Sequence, residues 1–276
     1  MERAVIRRKA TEHDGEARDG GVQSVDRALH IIETLAEDDE GYRLSDLAVR
    51  TGLSTSTAHR LLTTLEKRRF VQFDRTESKW HVGAQSFAVG ATFTRRRNFV
   101  AQAMPYLRKL RDQTRETANL AVVDDESIIV LTRIESREIM RSLTKVGGRV
   151  AMVASGVGKA VLATYPDKDV SAIIRRHGMP RLTEKSIIRA SDLFCELAAV
   201  RRQGYAVDDE EARMGLRCVA AVVFNDCSEP LAAISVSGMT SRVTAERVPE
   251  VGKAVREVAA ELTAAIGGVT PTAKTV

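Results

Sequence analysis

The stretch LSDLAVRTGLSTSTAHRLLTTLEKRR, residues 44–69, constrains the fold more than any other part of the chain. Its first part carries helical apolar spacing and stops at Gly52; a second periodic run starts near Ser54. Two short helices joined by a tight turn containing glycine follow the grammar of a helix-turn-helix. On the second helix Ala58, Leu61, Leu62 and Leu65 share an inner face. With about 3.6 residues per turn, the opposite side falls to Ser56, Arg60, Thr63 and Lys67, with Ser54, Thr57 and His59 around them. After Arg69 the period changes. FVQFDRTESKWHVG reads as two short strands around a polar turn at 74–78, a wing that carries Arg75 and Lys79. Residues 41–80 hold eight basic and four acidic side chains, most of the excess of 42 Lys and Arg over 37 Asp and Glu in the whole chain. Such a helix suits a major groove, where arginine forks onto guanine and small hydroxyls meet phosphate or base edges. The wing suits phosphate or the minor groove. An ordinary solvated face is the competing reading of the same residues.

The remaining sequence implies an α+β protein of two domains. Residues 1–20 alternate charges without an apolar period and are expected to be a disordered tail. Residues 21–83 form the winged helix-turn-helix. They open on a helix with Val25, Leu29, Ile32 and Leu35 (plus Ala28 and Ala36) as its apolar stripe and Ser24 as its cap. A linker helix follows at 84–100, broken at 95–98, and then a docking helix with Pro105 at its start. Phe87, Val89, Phe93 and Phe99 are more than a lone helix needs to cover itself. Together with the first helix they are expected to form a two-fold dimer contact, as a palindromic operator requires.

Residues 101–270 read as a mixed α/β domain, with a flexible tail at 271–276. Strands are expected at 118–124, 127–136, 138–144, 204–210, 216–226 and 230–238, and helices at 155–165, 169–177, 191–204 and 245–266. Short hairpins such as 124–127 favour an antiparallel sheet.

Several chemistries are excluded. RVAMVASGVGKAVLATY, residues 149–165, has a Gly158–Lys159 pair, but Ala160 stands where a phosphate loop needs its hydroxyl, and no glycine precedes at the required spacing. Lys159 is therefore expected to be an exposed or ion-paired helix residue. Three cysteines and five scattered histidines make neither a disulfide framework nor a metal site, so no metal or cofactor is expected. Cys218 with His177 or His59 is all that a nucleophile–base pair could draw on, and no catalytic motif accompanies them. No 18-residue apolar run or leader appears, so a cytoplasmic protein with no membrane partner is expected.

As a set, these residues resemble the isocitrate-lyase-regulator (IclR) family of bacterial transcription factors. The likeness runs through QSVDRALHIIETLA, YRLSDLAVRTGLSTSTAHRLLTTLEKRRFV and KWHVG, then VGGRVAMVASGVGKAVLA, RRQGYAVDDEEARMGLRCVAAVVFND and EPLAAISVSG, roughly residues 21–270. It implies a winged helix-turn-helix, a linker helix and a GAF-like effector domain. It also implies homodimers associating into homotetramers, double-stranded operator DNA as partner, and a small carboxylate effector. The start of the helix at Ser155 is then expected to line the effector pocket. The amides of Gly156 and Val157 lack intrahelical acceptors there, and Gly156 has no Cβ to block a carboxylate. The resemblance adds Asp208, Cys218, Ser235 and Ser237 as polar contacts, with Met152 and Val153 as an apolar wall. That set implies glyoxylate or pyruvate. Read without the family, Cys218 fits a core cysteine, the two serines fit sheet hydrogen bonding, and Asp209 is as good a choice as Asp208.

Overall fold

The structure is a computed structural model that describes residues 21–96, 99–124, 127–136 and 145–271. The tail at 1–20, the strand expected at 138–144 and residues 272–276 lie outside the described residues. The chain divides into two compact units between Arg95 and Arg96.

The first unit runs α1 (Gln23–Ala36), α2 (Leu44–Thr51), α3 (Thr55–Lys67), β1 (Val71–Asp74) and β2 (Lys79–Val82), and α4 (Ala84–Arg96) leads out of it. Gly52 ends α2 with φ 66°, a left-handed conformation that glycine adopts at little cost. Ser54 Oγ then accepts the Thr57 amide at 3.2 Å and starts α3. Ile31, Leu35, Leu47, Leu62, Val71 and Trp80 form the core. Trp80 also fastens the wing, because its backbone exchanges two hydrogen bonds with Tyr42.

Helix α1 departs from its expected face. Ile31, Thr34 and Leu35 are buried, whereas Val25 and Leu29 stay more than half exposed. The helix is apolar over a wide arc, and only one edge of it meets α2 and α3. Ser24 lies inside the helix; the cap position belongs to Val22, which makes no side-chain cap bond.

The second unit contains α5 (Phe99–Thr114), β3 (Thr117–Asp124), β4 (Ser127–Ile134), β5 (Arg149–Ala151), α6 (Gly156–Leu162), α7 (Asp167–His177), α8 (Ala190–Gln203), β6 (Ala206–Asp209), β7 (Leu216–Phe224), β8 (Pro230–Met239) and α9 (Val248–Ala265). Six strands form one sheet in the order β5-β4-β3-β8-β7-β6, with every neighbouring pair antiparallel. Alternation sends successive side chains to opposite faces. Leu120, Val219, Ile234 and Val236 pack under α5 and α9. Ala121, Ile128, Ala220 and Ala233 pack under α6, α7 and α8.

Two expectations change in α5. Pro105 lies inside the helix rather than at its start. The stripe Phe99, Ala103, Leu107, Leu110 and Thr114 is buried throughout, and that burial outweighs a proline cost of about 3 kcal/mol. Phe99, expected on a dimer face, belongs to this core.

Candidate functional site

Alternation along three strands builds a polar patch on the α6 face of the sheet. Register places Asp208, Cys218 and Ser237 side by side on β6, β7 and β8. The next inward row holds Ala220, Ser235 and Asn119 on β7, β8 and β3. A cavity of about 70 Å³ lies over these residues, closed by Val157 and Ser155 and by the apolar Ala121, Ile128, Val130, Val150 and Leu216. Pockets for drug-sized ligands run to about 300–1,000 Å³. This one has room for a very small molecule.

Each polar group is held from behind. Asp208 Oδ1 accepts the amides of Glu211 at 2.8 Å and Ala212 at 3.2 Å. Burial raises its carboxyl above the ordinary 3.8, against the pull of those two amides and of the Lys159 charge. Asp209 points away, to Arg217 and Lys185; alternation makes Asp208 the cavity acid. Burial and the Asp208 charge push the Cys218 thiol up to about 11, so it is protonated at neutral pH. Asn119 Nδ2 donates to the hydroxyls of both Ser235 and Ser237 at 3.3 Å. Asn119 was missed by sequence reasoning. Its signal was there: a lone amide inside the apolar run ANLAVVD must find partners if buried.

Ser155 Oγ takes the Gly158 amide at 3.0 Å, which leaves Gly156 and Val157 as the open first amides of α6. A Cβ on Gly156 would lie 3.0 Å from the Cys218 carbonyl oxygen and 3.3 Å from its Sγ, so the missing side chain lets α6 lie close against β7. Met152 and Val153 line a separate, larger cavity of about 320 Å³ beside Arg149 and His177, not the polar one. Lys159, expected to be exposed or paired, is paired and fully buried.

On the first unit, α3 turns Ser56, His59, Arg60 and Lys67 to solvent, while Ala58 and Leu62 are buried. Arg60 and Lys67 form no ion pair among the described residues. The Thr63 hydroxyl donates to the His59 carbonyl at 2.8 Å, so its methyl is the part left to present. Ser54 is tied up by its cap bond and by Thr57 Oγ1 at 2.8 Å. Thr57 itself is half-buried. In the wing Arg75 is exposed, and Lys79 is paired with Glu77 at 3.0 Å.

Residues 24–75 match the IclR helix-turn-helix domain, and residues 91–264 match the C-terminal domain of bacterial transcriptional regulator IclR. The chain belongs to the IclR family. It is a DNA-binding transcriptional regulator of that family. Among its IclR relatives, the acetate operon repressor of Salmonella typhimurium is 41% identical over 251 residues, covering 90% of this chain and 92% of that one. The HTH-type transcriptional regulator BhcR of Paracoccus denitrificans is 38% identical over 243 residues, 88% and 87% of the two chains. Among solved IclR structures, that from Alicyclobacillus acidocaldarius superposes with a TM-score of 0.76 at 27% identity, covering 90% of this chain and all of the other. Among the described residues, no helix is long and apolar enough to cross a membrane.

Proposed function

We propose that this IclR-family regulator binds its operator through α3 and the wing, and that a small α-keto acid, glyoxylate first and pyruvate second, controls that binding. The observation that carries the reading is the cavity: about 70 Å³, with Asp208, Cys218, Ser235, Ser237 and Asn119 gathered in an apolar wall. A carboxylate would sit against the open amides of Gly156 and Val157, with Ser235 and Ser237 adding hydrogen bonds. Asp208 repels an anion unless it accepts from the ligand or carries a proton. Hydrated glyoxylate supplies two hydroxyls for that carboxylate, which ranks it above pyruvate. The Salmonella relative's name, acetate operon repressor, supports regulation around small carboxylic acids.

The assembly read with it is a homodimer joined through α1 and α4, associating further into a homotetramer. Val22, Val25 and Leu29 on α1 and Phe87 and Val89 on α4 are at least half exposed, and large exposed apolar groups favour a protein contact. The sheet covered by helices on both faces supports a GAF-like description of the second unit.

Calorimetric titration of glyoxylate, pyruvate, glycolate and an aromatic acid tests the effector, alongside a gel-shift measurement on the protein's own upstream DNA. Micromolar to millimolar binding of a small acid, lost in Ser235→Ala and Asp208→Ala, is the expected result. Tight aromatic-acid binding with silence toward all three small acids would overturn it.

A further inference from the structure

Lys159 lies on α6 beyond Gly156 and Val157, and its side chain is completely buried. Its Nζ donates to Glu211 Oε1 and, at 3.3 Å, to Glu196 Oε1 on α8. The Glu211 amide in turn donates to Asp208 Oδ1 at 2.8 Å, so the ammonium stands directly behind the acid that lines the cavity. Glu211 Oε2 is buried and finds no hydrogen-bond partner among the described residues. The carboxylates of Glu211 and Glu196 thus share a single ammonium, whose charge also reaches Asp208. A buried pair of this kind is a poor stabilising device, since desolvation offsets much of its attraction and apolar side chains of similar size do as well. What an apolar side chain cannot supply is positive potential under the cavity. The Lys159 charge reaches the cavity groups themselves: it pulls Asp208, Glu211 and the Cys218 thiol downward, against the opposite push of burial.

We propose that Lys159 is a positioning residue of the effector site whose buried charge, rather than its packing, lets a cavity walled by Asp208 and backed by Glu211 and Glu196 hold an anion. Its charge acts on Asp208 through space, without the side chain touching the ligand. The inference rests on the reading that the cavity takes a small carboxylate.

Titration of pyruvate into the full-length protein, comparing wild type with Lys159→Met, Glu211→Gln and the double variant, separates charge from packing. Lys159→Met strips the ammonium from Glu211 and Glu196 and takes a positive charge from beside Asp208, and should weaken pyruvate about tenfold or more, since one charge at an effective dielectric near 20 acts strongly over a few ångströms. Glu211→Gln removes a negative charge and keeps the ammonium, so pyruvate should bind as tightly as to wild type, or more tightly. The double variant restores the wild-type balance and should recover most of the loss. If the two residues were only a clamp between α6 and the loop after β6, Glu211→Gln would weaken binding as Lys159→Met does. That result overturns the proposal, and it does so even if Lys159→Met does not fold.

A second readout does not depend on the effector. With Cys195 and Cys227, both exposed, replaced by serine, methyl methanethiosulfonate at pH 9 reports the Cys218 thiolate. Lys159→Met should slow its reaction several-fold, because the thiolate loses its nearby cation. Loosened packing would speed it. An unchanged or faster rate overturns the role of the charge. Failure of wild type to bind any small acid would instead overturn the effector reading alone, leaving the thiol rate to decide on Lys159.

Discussion

At Asp208 two opposing effects meet in one carboxyl: burial raises its pKa above 3.8, and two backbone amides with Lys159 lower it. Burial is the larger, so the proton is held to higher pH than on an ordinary aspartate. An incoming carboxylate is repelled by the ionised form and accepted by the protonated one. Affinity for pyruvate, which brings no hydroxyl of its own, should therefore rise as pH falls from neutral toward the raised value. Asp208→Asn keeps an acceptor oxygen for the Glu211 and Ala212 amides and should flatten that slope; calorimetry across the range checks it. A slope unchanged in the variant would assign the proton elsewhere. The sign for folding is the same. A raised carboxyl binds its proton more tightly in the native state, so ionised Asp208 costs stability above its native pKa; that cost shrinks as pH falls below the native value and is gone below the ordinary 3.8. On the DNA side, Arg60 is the long exposed donor of α3. Arg60→Ala should cost about 1–3 kcal/mol of operator affinity at matched salt and relax specificity at one base pair. Fluorescence anisotropy with matched and mismatched operators checks both, and equal losses on the two would reduce Arg60 to a phosphate contact.

At the scale of elements, α6 depends on its glycines for close packing. A Cβ on Gly158 would lie 2.0 Å from the Met152 carbonyl oxygen, and the obstacle is backbone. Gly158→Ala should therefore destabilise the protein at or above the upper end of the roughly 1–3 kcal/mol typical of overpacking. A thermal melt checks it, and a midpoint near that of wild type would mean the chain before α6 moves freely. The element order was legible because each element announces itself locally. Gly52 and Ser54 bracket the turn between α2 and α3, and the alternating runs at β3, β4, β7 and β8 stand where the sequence puts them. The three-residue β5 was not legible, since so short a strand has no period of its own and exists because β4 pairs with it.

For the whole molecule, effector control requires that ligand binding favour one arrangement of paired DNA-binding units over another. Pairing is thus part of the function proposed. Leu29→Glu together with Phe87→Glu places charges on the exposed apolar faces of α1 and α4. The double variant should keep the wild-type melting curve, shift toward smaller species in light scattering, and lose operator affinity. A variant that scatters as wild type would remove α1 and α4 from the assembly.

Sequence alone determined the helix-turn-helix, the wing and the antiparallel sheet, which follow from periods of 3.6 and 2 and from capping residues, properties of neighbours along the chain. The family, and with it Cys218, Ser235 and Ser237 as site residues, came from resemblance rather than from any period. Tertiary structure alone decided which arc of α1 is covered, that Asp208 rather than Asp209 meets the cavity, and that Met152 lines another one. It also brought Asn119 between two serines and buried Lys159 against Glu196 and Glu211. A local period shows that a face exists. Which face is covered, and by what, depends on residues far apart in the chain meeting across strands and helices.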